Sequence, residues 1–267
     1  MLTKSFSYDK SKAVNLKAYL LEPINDIEFT QKRPAVLIFP GGGYEKVSVR
    51  EGEPIAMKFL AMGYNAFVLT YEVCSPFPSP LINAAWAIGV IRRYDEMFHI
   101  DKNKVAVCGF SAGAHLAAMI SNMYDCKEIS DELDFDDISF RPDAQILCYP
   151  VIDGTKYAHK SSFDFLLGKD ASEDERKALS MQNKVSKNTP PAFLWHTAND
   201  DTVPVQNSLI YAKALSDFNI PYELRIYDEG VHGISTCQKQ TAHYEAHINP
   251  HCEDWIDLAV YFLKKHL

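Results

Sequence analysis

Val105-Ala106-Val107-Cys108-Gly109-Phe110-Ser111-Ala112-Gly113-Ala114-His115-Leu116-Ala117-Ala118-Met119 is the stretch whose pattern decides the fold. Residues 105–110 form an apolar β-type run, and residues 112–124 carry helical spacing. Ser111 stands where one gives way to the other, inside a G-x-S-x-G pentapeptide, Gly109-Phe110-Ser111-Ala112-Gly113. A serine at such a site sits on a sharp strand-to-helix turn that closes only when its neighbours are small. Its hydroxyl projects above the sheet, and the helix N-terminus behind it favours developing negative charge. Ser111 is therefore the candidate nucleophile.

Outward from this turn, β-type and helix-type runs alternate. Strands are expected over Ala13–Leu21, Pro34–Phe39, Asn65–Tyr71, Ala144–Val151, Ala192–His196 and Tyr222–Tyr227, the last three as buried strands. Helices are expected over Pro54–Met62, Asn83–Phe98, Val203–Phe218 and Glu253–His266. Apolar runs without alternation suit strands covered on both faces. The fold class is thus α/β: three layers, with a mostly parallel central sheet flanked by helices and sites at the carboxyl ends of strands. No linker divides the chain, so one domain over 1–267 is expected. Two segments break the rhythm. Glu128–Asp137 is acidic and is expected to be a solvated excursion. A small insertion near 155–188, with short helical pieces after Ser161, is placed to cap a site.

A nucleophilic serine needs a base, and the base an orienting acid. Of nine histidines, His232 in Glu229-Gly230-Val231-His232-Gly233 follows the last expected strand on a loop that can reach Ser111. His115 and His196 are the alternatives. The loop His196-Thr197-Ala198-Asn199-Asp200-Asp201-Thr202-Val203-Pro204 offers two aspartates before a helix. Asp201, nearer the helix, is expected to cap it, leaving Asp200 for the histidine, with Asp153 as runner-up. The order Ser111, Asp200, His232 is the one expected of a triad hung from a parallel α/β sheet. Pro40-Gly41-Gly42-Gly43-Tyr44 follows a buried strand. It lacks the Lys-Ser/Thr of a P-loop and the spacing of a dinucleotide site. Its unobstructed N–H groups at Gly42 and Gly43, with that of Ala112, suit an oxyanion hole.

These motifs resemble the α/β-hydrolase-fold esterases, in the branch of the HGGG-type esterases/lipases and the acetyl-xylan or acetylated-sugar esterases. The resemblance runs from PGGGY and VLTYEV through IDKNKVAVCGFSAGAHLAA and WHTANDDTVPVQNS to GVHG and NPHCEDWIDLAVYFL. It implies a serine carboxylesterase acting on short, above all acetyl, esters of sugars or oligosaccharides. It assigns Ser111 as nucleophile, Asp200 as acid, His232 as base, and Gly42, Gly43 and Ala112 as oxyanion donors. Two positions depart from the pattern: Pro40 replaces the histidine of HGGG, and Glu72 stands where relatives carry arginine after Tyr71. Glu72 is expected to alter the approach to the oxyanion loop. The enzymatic alternative is an arylformamidase or peptidase-like amide hydrolase, and the non-enzymatic one a ligand-binding hydrolase homologue.

Tyr44, Phe163 and Phe165 are candidates for lining the substrate pocket. Cys237, His243, His247, His251 and Cys252 form the one metal-like cluster, with His243 and His247 spaced to share a helix face. Triad esterases need no metal, so no metal or cofactor is expected.

Composition narrows the partners. The chain has 267 residues with 27 basic against 35 acidic side chains, a formal charge of −8. That balance lacks the positive footprint selected by nucleic acid or anionic membranes. The expected partner is a small-molecule ester. Met1–Lys10 has no apolar signal core, and the six cysteines show no CxxC pairing, so a reduced, cytoplasmic protein is the expectation.

Overall fold

The computed structural model describes residues 1–267. In chain order the elements are β1 (Leu2–Tyr8), β2 (Ser11–Leu20), β3 (Arg33–Phe39), α1 (Glu53–Ala61), β4 (Asn65–Thr70), α2 (Ser79–Arg93), α3 (Asp95–Phe98), β5 (Ile100–Phe110), α4 (Ala112–Met123), α5 (Lys127–Ser130), β6 (Ala144–Cys148), α6 (Lys160–Leu167), α7 (Glu173–Ala178), β7 (Ala192–Thr197), α8 (Gln206–Asp217), β8 (Tyr222–Tyr227) and α9 (Trp255–His266). The strands form one eight-stranded sheet in the order β1-β2-β4-β3-β5-β6-β7-β8. Only β2 runs against its neighbours; from β4 to β8 every pairing is parallel.

Successive residues of β3 divide between two cores. Ala35, Leu37 and Phe39 join the core packed with α2, α4 and α8. Val36 and Ile38 point the other way, into the core with α1 and α9. Both faces are therefore covered, as the unbroken apolar runs require. Losing one such side chain, Leu37→Ala for instance, costs about 2–5 kcal/mol because the surroundings cannot collapse into the void.

Strand register brings the functional loops together. Phe39 of β3 pairs with Gly109 of β5, so the glycine tract emerges beside Ser111. Phe110 pairs with Cys148 of β6, which sets Tyr149 on the other side. The loops after β7 and β8 then carry Asp200 and His232 to the same end of the sheet. No helix is long and apolar enough to cross a membrane.

Several expected boundaries shift. α2 begins at Ser79 rather than Asn83, with Pro80 in its first turn where a missing N–H does no harm. It ends at Arg93; α3 is a separate turn closed by His99 in the left-handed conformation. β8 is no buried strand but a largely exposed sheet edge. The acidic Glu128–Asp137 segment is anchored, not merely solvated. Ile129 is buried, and the Phe135 ring lies so close to α2 that a Cβ on Gly89 would meet it at 2.6 Å.

Candidate active site

Ser111 occupies a strained backbone, φ 53° and ψ −118°, between β5 and α4. Its N–H donates to the Cys148 carbonyl at 3.0 Å, which ties the turn to β6. The flanking glycines are dictated by close approach. A Cβ on Gly109 would meet the Gly113 carbonyl oxygen at 2.3 Å, and one on Gly113 the Phe39 carbonyl oxygen at 2.1 Å. The serine is 7 % exposed at the floor of a cleft.

Ser111 Oγ lies 2.8 Å from His232 Nε2, and His232 Nδ1 lies 2.6 Å from Asp200 Oδ2. The Asp200 side chain is fully buried. Burial alone would raise its pKa, but hydrogen bonds from His196 and His232, the His232 charge and the Val203 N–H hold it well below the usual range. An ionised carboxylate only accepts, so the His232 proton sits on Nδ1 and leaves Nε2 free to accept from the serine hydroxyl. The competing histidines face elsewhere. His115 is buried between the Tyr44 hydroxyl, 2.9 Å from Nδ1, and the Leu179 carbonyl, 2.8 Å from Nε2. The carbonyl must receive a proton, so Nε2 donates and Nδ1 accepts from Tyr44. His196 contacts Ser208 Oγ and the Val203 carbonyl. Asp153 binds Thr155, the Tyr157 N–H and Gln182, not a catalytic imidazole. Asp201 caps nothing: α8 starts at Gln206 without a side-chain cap, and Asp200 itself takes the N–H groups of Thr202 and Val203.

The glycine loop folds on itself. The Gly42 carbonyl accepts N–H groups from Glu45 and Lys46, and the Gly41 carbonyl accepts that of Ser48. Gly42 and Gly43 have positive φ, and their N–H groups, like that of Ala112, meet no protein acceptor. Gly42 and Gly43 line the cleft with Ser111 and His232. Three donors left unpaired around a serine are what an oxyanion would fill.

The cleft, of about 340 Å³, is polar: of its 15 lining residues, including Glu45, Lys46, Arg50, His159 and His243, only Phe165 is apolar. His159 and Ser161 bring the insertion to the rim.

A family model described as BD-FAE matches residues 25–215. The chain belongs to the BD-FAE family. It shares the α/β-hydrolase fold with solved esterase and hydrolase structures. It is similar to endo-1,4-beta-xylanase B of Butyrivibrio fibrisolvens, 37% identical over 232 residues, 85% of this chain and 35% of that protein. It is also similar to an acetylxylan esterase of Xylanibacter ruminicola, 31% identical over 206 residues, 74% of this chain and 40% of that protein. The chain thus spans well under half the length of these two relatives. Among solved structures, an acetyl ester-xyloside bifunctional hydrolase from Caldicellulosiruptor lactoaceticus superposes with TM-score 0.84 and 35% identity, covering 94% of this chain and 88% of that one.

Other expected site features of this BD-FAE chain fall differently. Tyr44 and Phe163 are each 1 % exposed and pack around His115 rather than lining the cleft; Phe165 does line it. Glu72 faces a separate groove beside Tyr8 and Ser79, away from the oxyanion loop. His243 and His247 share no helix face, because residues 239–247 form two short 3-10 turns. The cluster disperses: Cys237 and Cys252 are buried in the core, His251 pairs with Asp228, and no three of these side chains converge as a metal site requires. The BD-FAE cleft also holds two residues that pattern reading passed over, Glu51 and His159. Each is a single polar residue in a segment without periodicity, and only the tertiary fold makes it a neighbour; His196, weighed as an alternative base, instead stands buried behind Asp200.

Proposed function

We propose that the chain is a serine carboxylesterase that cleaves short acyl esters, acetyl above all, from sugars or oligosaccharides. One observation carries this reading: the unbroken hydrogen-bond path Ser111–His232–Asp200 opens into a polar cleft. The polar lining favours a hydroxylated alcohol and a small acyl group over a long aliphatic one. Relatives named as acetylxylan esterase and acetyl ester-xyloside hydrolase support the same substrate class.

In this mechanism His232 Nε2 takes the Ser111 proton as Oγ bonds to the ester carbon. The carbonyl oxygen, now negative, receives the N–H groups of Gly42, Gly43 and Ala112. The imidazolium is held by Asp200 and gives its proton to the departing alcohol. Water then enters, loses a proton to His232 and attacks the acyl-enzyme; collapse of the second tetrahedral intermediate frees the acid and restores Ser111.

The test is a p-nitrophenyl ester series of increasing acyl length run beside acetylated xylo-oligosaccharides. Activity should fall beyond short acyl groups, and Ser111→Ala should lower kcat by about 10⁴-fold or more. Full activity in that variant overturns the mechanism. Turnover of N-formylkynurenine in preference to esters would move the assignment to amide hydrolysis.

A further inference from the structure

We propose that Glu51 is a positioning residue that holds the oxyanion loop and the loop bearing His232 in mutual register. The proposal rests on the esterase reading above and adds a residue to its machinery.

Glu51 is 3 % exposed and lines the cleft next to Ser111. Its Oε2 accepts the Gly41 N–H at 2.9 Å, one residue before the expected oxyanion donors. Its Oε1 lies 2.6 Å from the Tyr149 hydroxyl. That hydroxyl already receives the Ser235 N–H at 3.0 Å, so its single proton goes to Glu51. The Tyr149 ring meets the His232 ring edge-on, with centroids 5.1 Å apart. One carboxylate therefore reaches the oxyanion loop with one oxygen, and with the other reaches the tyrosine that backs the base.

Arg50 reinforces the bridge. Its carbonyl accepts the Ser235 hydroxyl at 2.8 Å, and its guanidinium donates to the Gly233 and Thr241 carbonyls at 2.8 and 2.5 Å. Gly233 directly follows the base. Residues 50 and 51 thus clasp both sides of the catalytic serine.

Physical chemistry explains why a carboxylate stands here. Three consecutive glycines give the loop more backbone freedom than any other sequence, so its N–H groups need an outside anchor to stay aimed. A buried carboxylate is costly unless it is fully hydrogen-bonded, and Glu51 accepts at both oxygens. Charge-assisted bonds of this kind are short and strong, which suits a fixed strut. The carboxylate presses against the loop: a Cβ on Gly41 would come within 2.9 Å of Oε2.

The experiment compares Glu51→Ala, Glu51→Gln and Tyr149→Phe with the unmodified chain. Active sites are titrated to completion with a fluorophosphonate, and kcat per titrated site and KM are measured on p-nitrophenyl acetate. Glu51→Ala should lose about 30- to 100-fold in kcat per titrated site, with KM within about threefold, because oxyanion contacts act in the transition state. Adding Tyr149→Phe to it should cost little more, since the two act as one unit. Glu51→Gln should fall in between, its amide oxygen still accepting from Gly41. A merely structural role would lower thermal stability and the titre of active sites while leaving kcat per site intact. A loss below about tenfold in Glu51→Ala therefore overturns the proposal. Should that variant fail to fold, Glu51→Gln decides: a loss under about threefold overturns it, a larger one supports it. Failure of the esterase reading itself would show in the unmodified chain, as no ester turnover and no labelling, and would take this proposal with it.

Discussion

His196 Nε2 stands 3.3 Å from Asp200 Oδ2, the same oxygen that His232 Nδ1 approaches at 2.6 Å. Asp200 is thus flanked by two imidazoles, one facing the cleft and one wholly buried. Nε2 of His196 donates to the Val203 carbonyl and leans toward Asp200, while Nδ1 lies 2.8 Å from the Ser208 hydroxyl. This imidazole backs the carboxylate from its buried side. Replacing His196 by Phe should lower kcat by about three- to tenfold and stability by about 1–3 kcal/mol, the usual cost of stranding buried polar partners. Steady-state kinetics and a urea titration on the same preparation check both numbers.

His115 makes the fold acid-sensitive in a defined window. Burial outweighs its bond to Leu179 and pushes its pKa down to about 4. The unfolded chain titrates near the ordinary histidine value of about 6.5, so between these values the unfolded state binds the extra proton. Stability is full above that range and falls as pH drops through it, by up to about 3 kcal/mol. His247, 3 % exposed and also held at about 4 by burial and the Arg50 charge, acts in the same direction. Urea midpoints at pH 7.5 and 4.5 should differ accordingly, and His115→Gln should flatten the slope. Equal midpoints in the unmodified chain would refute the prediction.

Gly113→Ala should not yield a native fold at 37 °C. The added methyl would sit 2.1 Å from the Phe39 carbonyl oxygen and 2.5 Å from that of Pro40. Both atoms belong to the central strand or the loop leaving it, so neither can retreat cheaply. A loss above about 3 kcal/mol is expected, read as Tm or as soluble yield.

Phe165 is the only apolar side chain in the cleft lining. Phe165→Ala should raise KM for a butyryl ester by about fivefold, equivalent to about 1 kcal/mol of lost contact, while the acetyl ester changes less. Equal effects on both esters would place Phe165 on the alcohol side instead.

Much of this site was readable before folding because its parts are local. Ser111 lies inside a contiguous strand-turn-helix signature, Gly41 to Gly43 are adjacent, and Asp200 and His232 each follow a recognisable strand. What was not readable depends on distance or on one-sided burial. β1 carries no sequence signal, because Leu2-Thr3-Lys4-Ser5-Phe6-Ser7-Tyr8 is a mostly exposed edge with little apolar pattern. β8 was recognisable as a strand, but its burial depends on whether another strand pairs beyond it, and none does. Tyr44 was expected in the pocket from its place beside the glycines. Its positive φ of 60° instead accompanies a ring turned under the loop, toward His115. Glu51 had no signature, since a lone acid between Arg50 and Gly52 gains meaning only when β3, β6 and the His232 loop converge.

The carbonyl of Leu179, which receives the His115 proton, belongs to the far end of the 155–188 insertion. The same insertion is fastened at Asp153, which holds Thr155, Tyr157 and Gln182, and at Leu166, whose carbonyl takes the Phe77 N–H. A segment fastened in three places, one of them to the helix that follows Ser111, is built as masonry rather than as a door. Under the proposed activity, exchanging the rim residues His159 or Ser161 is therefore expected to change which alcohol is preferred without lowering Tm.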